Sequence, residues 1–189
     1  YYLNPQKPIM DIGRVAIIEI DNASTHPEIS ADMTNALFGA VQKRHVFGLT
    51  FVHQSDPLCK GPLVEENKSY TFEQLAMLRK NLKSDAILLG EVTQYSPYPR
   101  LAIGLRLKLI DLRDGTLIWA LEQFWDSIDK QVEKRTESYF KTQIRSGFDP
   151  IEYRMALVSS HMFLNFVAWE VGQTLRNPTK EDILGIVLK

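Results

Sequence analysis

The sequence predicts a mixed α/β (α+β) fold: a five-stranded sheet flanked by helices, with a strand meander late in the chain and two additional C-terminal helices. Three observations carry this. In residues 83–126 three strand-like runs are joined by two turns; Leu101, Ile103, Leu105, Leu107 and Leu109 alternate along the middle run, with Arg106 and Lys108 between the last of them. That period of two marks a strand with one buried and one wetter face. Asp114-Gly115 sits between two such runs, the strongest short-range hairpin signal. Ahead of the meander the order is strand, helix, strand, helix, so the first crossover favours parallel neighbours and the meander antiparallel ones.

Taken in order, residues 1–13 are polar and carry Pro5 and Pro8, which reads as an extended lead-in. Residues 14–21 are a short β-branched run, the first strand, and turn-forming residues 22–27 break it. From Ser30 as N-cap to about residue 43, Met33, Leu37, Ala40 and Val41 keep helical spacing. Residues 46–53 form the second strand. The 54–69 connection, with Pro57, Gly61 and Pro62, is longer than connections usually are. Thr71 and Gln74 make a capping box for a helix carrying Phe72, Leu75, Ala76, Leu78 and Leu82.

The meander strands run over about 85–94, 101–112 and 116–124, with residues 96–99 breaking the first from the second. A charged helix follows over about 128–144, capped by Asp126 or Ser127, with Ile128, Val132 and Tyr139 as its sparse apolar stripe. Residues 147–150 break it. A long last helix covers 151–175, with Tyr153, Leu157, Leu164, Val167, Val171 and Leu175 on one face. Asn177-Pro178 ends it, and Ile183, Ile186, Val187 and Leu188 indicate a tail that docks. The organisation is therefore a lead-in (1–13), one domain (14–175, with a core at 14–125 and a helical extension at 126–175) and a tail (176–189).

The bulk numbers exclude several classes of function. A chain of 189 residues fits one domain, able to bury roughly 70% of its unfolded surface. The 22 basic and 23 acidic residues are spread along the chain, and no basic run exists to release counterions from nucleic acid. Cys59 is the only cysteine, which rules out an internal disulfide or a multi-thiolate zinc site; it reads as a loop thiol. His26, His45, His53 and His161 are well separated, so no metal is expected. The first strand-to-helix turn, residues 21–25, lacks glycine, and no glycine-rich phosphate motif occurs, so no cofactor is expected. Glu65-Glu66 and Glu181-Asp182 read as solvated loop acids. Asp21, at a strand end, is the best-placed acid, and with His53 or His26 it is the only basis for a hydrolase-type reading. The expectation is a non-enzyme with no catalytic residues.

Aromatic residues are more informative. Tyr95, Tyr98, Trp119, Phe124 and Trp125 crowd the meander, and Phe163, Phe166 and Trp169 crowd the last helix. Most read as core. Yet Met162, Phe163, Phe166 and Trp169 do not all lie on the stripe of Leu157, Leu164 and Val171. A helix apolar on two faces is either deeply buried or half of an interface. The 95–100 loop is aromatic and proline-stiffened, with an arginine, a composition that favours protein contacts. Tyr95, Tyr98, Arg100, Trp125, Phe163, Phe166 and Trp169 are the candidate contact residues.

Val15-Ala-Ile-Ile-Glu-Ile-Asp-Asn22, residues 46–52, Leu82-Lys-Ser-Asp-Ala-Ile-Leu-Leu-Gly-Glu-Val-Thr93 and Leu107-Lys-Leu-Ile-Asp-Leu-Arg-Asp-Gly-Thr-Leu-Ile-Trp119 together resemble the CsgG-like group of bacterial envelope lipoproteins. That group takes in the curli-secretion lipoprotein, the LpoB-type activators of penicillin-binding proteins and the TolB N-terminal domain. The resemblance covers about residues 14–125, on strand cores and turns. It implies a periplasmic accessory protein, lipid-anchored at the outer membrane, that binds or regulates a cell-envelope protein. The alternative it leaves is a self-assembling subunit of a secretion or export complex. The start at Tyr1-Tyr2-Leu3, without methionine, is read as lacking the natural N-terminus, so membrane contact is expected only through a lipid anchor upstream. No apolar stretch reaches the roughly 20 residues of a spanning helix, and no pair of long amphipathic hairpins is present to build a barrel.

Overall fold

Seven strands form one mixed sheet, two more than the sequence predicts, in a computed structural model that describes residues 1–53, 55–56, 70–143, 154–155 and 157–177. In chain order the elements are β1 (Tyr2–Leu3), β2 (Arg14–Ile18), β3 (Asp21–Asn22), α1 (Ile29–Gln42), β4 (Gly48–Val52), α2 (Phe72–Leu82), β5 (Ala86–Ser96), β6 (Ala102–Asp111), β7 (Leu117–Asp126), α3 (Lys130–Gln143) and α4 (Ser160–Thr174). The sheet order is β1-β7-β6-β5-β2-β4, with β3 beside β5. β2 pairs in parallel with β4 and β5, and β5, β6 and β7 are antiparallel. The extra strands, β1 and β3, have two residues each, too few to show a period.

Alternation along each strand builds two cores. Val15 and Ile17 of β2, Ala86 and Leu88 of β5, and the odd-numbered apolar residues of β6 face the larger one. Met33 and Leu37 of α1, Val132 of α3, and Phe163 and Phe166 of α4 close it. Ala16, Ile18, Ile87 and Leu89 face the smaller core, closed by Leu75, Leu78 and Leu82 of α2. Each fully buried aliphatic or aromatic side chain contributes about 1.5–3 kcal/mol, against the conformational entropy of ordering it. Strand spacing is tight where β5 crosses β6: a Cβ on Gly90 would lie 2.6 Å from the Arg106 carbonyl oxygen.

Local signals explain the starts of α2 and α3, whereas α1 begins at Ile29 after Glu28, with Ser30 inside the helix and its hydroxyl donating to the Ile20 carbonyl rather than capping. The capping box at α2 is formed: Gln74 N donates to Thr71 Oγ1 at 3.3 Å, and Thr71 N donates to Gln74 Oε1 at 2.9 Å. The cap of α3 is Asp129, not Asp126 or Ser127, because Gln131 N donates to Asp129 Oδ1 at 2.6 Å. Asp126 Oδ1 instead accepts Ile128 N at 3.0 Å in the preceding turn, which leaves Ile128 outside the helix and 64% exposed. The last helix begins at Ser160 rather than at residue 151. Ser159 is extended (φ −96°, ψ 113°), and Val158 N and Ser159 N both turn back to the Met155 carbonyl. Consecutive serines favour such a start over a helix interior. Cys59, most of the 54–69 connection, both carboxylate pairs, the 147–150 break, Tyr153 and the tail beyond residue 177 lie outside the described residues.

The lead-in joins the sheet: Tyr2 pairs with Ala120 and Leu3 with Trp119, while Ile9 and Ile12 are buried in the larger core. A charge cluster fastens it to the Asp114-Gly115 hairpin, where Gly115 takes the left-handed φ of 75°. Asp111, with its carboxylate 1% exposed, meets Lys7 Nζ at 2.8 Å and Arg113 Nη2 at 2.8 Å. Arg113 Nε and its backbone N–H each donate to Asp111 Oδ1 at 2.9 Å. Burial by itself raises this carboxyl; the hydrogen bonds from Arg113 and Lys7 and the Arg113 charge outweigh it and hold the pKa at about 2.

Candidate protein-contact surface

The contact residues expected from sequence separate into two groups. Trp125, Phe163 and Phe166 are each 0% exposed and belong to the larger core, so they offer nothing to a partner. The reason is what lies on each side of α4. One side of that helix faces the sheet and α1, and just past the end of α1 Arg44 Nη1 donates to Gln173 Oε1 at 2.8 Å. The other meets α3: the Tyr139 ring lies 5.8 Å from Phe166 and 5.0 Å from Trp169. Two apolar faces therefore describe a helix covered twice. Trp125 joins these layers through Nε1, which donates to Glu170 Oε2 at 2.6 Å, while Arg135 Nε donates to Glu170 Oε1 at 2.7 Å.

Tyr98 and Arg100 are exposed, and Trp169 keeps part of its surface accessible. Tyr98 stands at the tip of the β5–β6 turn and is 83% exposed; Ser96 Oγ donates to its carbonyl at 3.1 Å. Arg100 Nη1 pairs with Asp126 Oδ2 at 3.1 Å, which ties the loop to the end of β7. Tyr95 is partly buried against the larger core, with its ring edge-on to His26 at 5.4 Å. Trp169 is half-buried and lines a groove of about 300 Å³ with Tyr1, Gln123, Arg135, Glu170 and Thr174. One β7 residue, Gln123, lines that groove, which sequence reading missed, since a groove depends on how distant segments meet.

The acids and histidines fall elsewhere. Asp21 pairs in register with Glu91; burial and then the Glu91 charge push its carboxyl up. His53 Nδ1 lies 3.4 Å from Glu19 Oε2, and His26 Nδ1 is 3.3 Å from Thr25 Oγ1. Among the described residues no group of three or more metal-ligating side chains comes together, and no helix is long and apolar enough to cross a membrane.

The class these elements define is a mixed-sheet α+β domain with helices on both faces. No known family profile and no curated protein matches the sequence. In fold the chain is similar to PelC of Paraburkholderia phytofirmans, solved as a dodecamer, with 12% identity over 94% of this chain and 96% of that one at a TM-score of 0.55. It is also similar to the hypothetical protein CT253 of Chlamydia trachomatis, with 14% identity over 86% and 97% of the two chains at a TM-score of 0.52. The LpoB C-terminal domain of Salmonella enterica aligns over 60% of this chain and 83% of that one at 17% identity and a TM-score of 0.43. The first two likenesses show the fold.

Proposed function

We propose that this chain is a non-enzymatic accessory protein of the bacterial envelope, periplasmic and lipid-anchored at the outer membrane, that binds or regulates another envelope protein. The observation that carries the reading is the accessible set left after the core is filled: Tyr98 exposed at a loop tip, Arg100 held beside it by Asp126, and Trp169 walling a groove. Accessible Tyr, Arg and Trp are the residue types that dominate binding energy at protein interfaces. The strand-core resemblance to envelope lipoproteins supports the location. Changing Tyr98, Arg100 and Trp169 together to alanine should weaken capture of a partner identified by photo-crosslinking in the periplasm by about 2 kcal/mol or more, with the thermal transition retained. Undiminished capture by the folded variant rejects the reading.

A second reading, a self-assembling subunit of an export complex, draws support from the fold likeness to PelC, solved as a dodecamer. Light scattering over a concentration series separates the two: a ring-former grows in mass with concentration, and a stable monomer removes this alternative.

A further inference from the structure

The turn between β6 and β7 closes against α2. Leu112 N donates to the Asp85 carbonyl at 2.8 Å, and a Cβ on Gly115 would lie 3.2 Å from Leu75 Cδ1. Between helix and hairpin runs a groove of about 320 Å³, lined by Phe72, Ala76, Arg79, Lys80, Leu112 and Arg113. The four helix residues fall at steps of four, seven and eight from Phe72, which is one stripe of α2.

The chemistry of this lining is divided. Phe72, 77% exposed, Ala76 and Leu112 are apolar; Arg79, Lys80 and Arg113 are cations, and no acid is among the six. The carboxylates that brace the two guanidiniums are themselves held by the fold. Arg79 Nη2 lies 3.1 Å from Asp85 Oδ1, and Asp85 Oδ2 accepts the Arg14 N–H at 3.3 Å. Arg113 commits Nε and Nη2 to the buried Asp111. Each arginine is thereby ordered in advance, which lowers the cost of ordering it around a ligand. Arg79 Nε and Nη1, Arg113 Nη1 and the Lys80 ammonium make no hydrogen bond among the described residues.

The two halves select a ligand between them. A simple anion gains little from exposed cations in water, and a purely apolar group would strip water from three charges. A cation is repelled. An oxyanion on a hydrocarbon arm suits both halves: its oxygens match guanidinium and ammonium donors, and the arm covers Phe72, Ala76 and Leu112.

We propose that the groove between α2 and the hairpin binds a small amphiphilic oxyanion, a carboxylate or phosphate on an alkyl or acyl arm. Arg79, Lys80 and Arg113 take the headgroup, and Phe72 with Ala76 takes the arm. The site shares no residue with the surface of Tyr98, Arg100 and Trp169 and goes beyond the partner-binding reading.

Amide chemical shifts of the full chain, titrated with octyl phosphate below its micelle concentration, test it. Saturable shifts should appear at Ala76, Arg79, Lys80, Leu112 and Arg113. Octyl phosphate should bind about tenfold tighter than ethyl phosphate, through its longer arm. Octylammonium, with the same arm and the opposite charge, should not bind there. Octanoate separates the two headgroups, and tighter binding by either acid supports the site and names the oxyanion it prefers. Lys80→Glu should weaken octyl phosphate and ethyl phosphate alike by about fivefold. Phe72→Ser should weaken octyl phosphate by about fivefold and leave ethyl phosphate unchanged. Both side chains are exposed, so the thermal transition should persist, and the comparison of probes on the parent chain needs neither variant. The proposal is overturned when octyl phosphate gives no saturable shift at these amides or when octylammonium matches it. It is also overturned when ethyl phosphate binds as tightly as octyl phosphate, the arm then being unused.

Discussion

Trp125→Ala should destabilise the folded chain by about 3–5 kcal/mol, read as a lower denaturant midpoint at unchanged slope. The ring is 0% exposed, so truncation leaves a cavity in the larger core. It also removes the indole N–H that meets Glu170 at 2.6 Å, and Glu170, 14% exposed, then depends on Arg135 alone. Trp125→Phe refills most of the volume and loses mainly that hydrogen bond, an expected cost of about 1–3 kcal/mol. The pair of variants separates a core role from a contact role. Where Trp125→Phe remains folded it should bind a partner as the parent does, because its surface is unchanged. A folded phenylalanine variant that no longer binds would return Trp125 to the interface.

The sheet was legible because its signals are local. The alternation from Leu101 to Leu109, the Asp114-Gly115 turn and the Thr71–Gln74 cap each need only a few neighbouring residues, and each forms as the sequence implies. What escaped depends on contacts between distant segments. β1 and β3 are strands only because β7 and β5 lie beside them. The second apolar face of α4 is plain in Phe163 and Phe166, but whether α3 or a partner covers it turns on Tyr139. Asp111 reads locally as one acid among the leucines of a strand end. Its meaning comes from Lys7, 104 residues away in the chain. The candidate site fared worse than the fold for the same reason: accessibility is what remains after every long-range contact is made, and Tyr98, Arg100 and Trp169 are that remainder.

Acidification should remove a stabilisation of about 2 kcal/mol that Asp111 supplies at neutral pH. Its carboxyl has an ordinary pKa of 3.8 and is held at about 2 in the fold. A lowered folded pKa means the unfolded chain takes up the proton first, so stability is complete above about pH 4 and declines as pH falls through about 2. Asp111→Asn keeps the shape and an oxygen for the Arg113 N–H but discards the charge facing Lys7 and Arg113. The parent should exceed this variant by about 2 kcal/mol at pH 7, and the gap should shrink below about 0.5 kcal/mol near pH 2, measured as denaturant midpoints at matched salt. A gap independent of pH would show that packing at Asp111, and not its charge, holds the hairpin. Because Lys7 also meets Asp114 at 2.6 Å, the variant should loosen the lead-in rather than release it. Exchange at Tyr2 and Asn4, whose backbone faces β7, should then rise before the larger core opens.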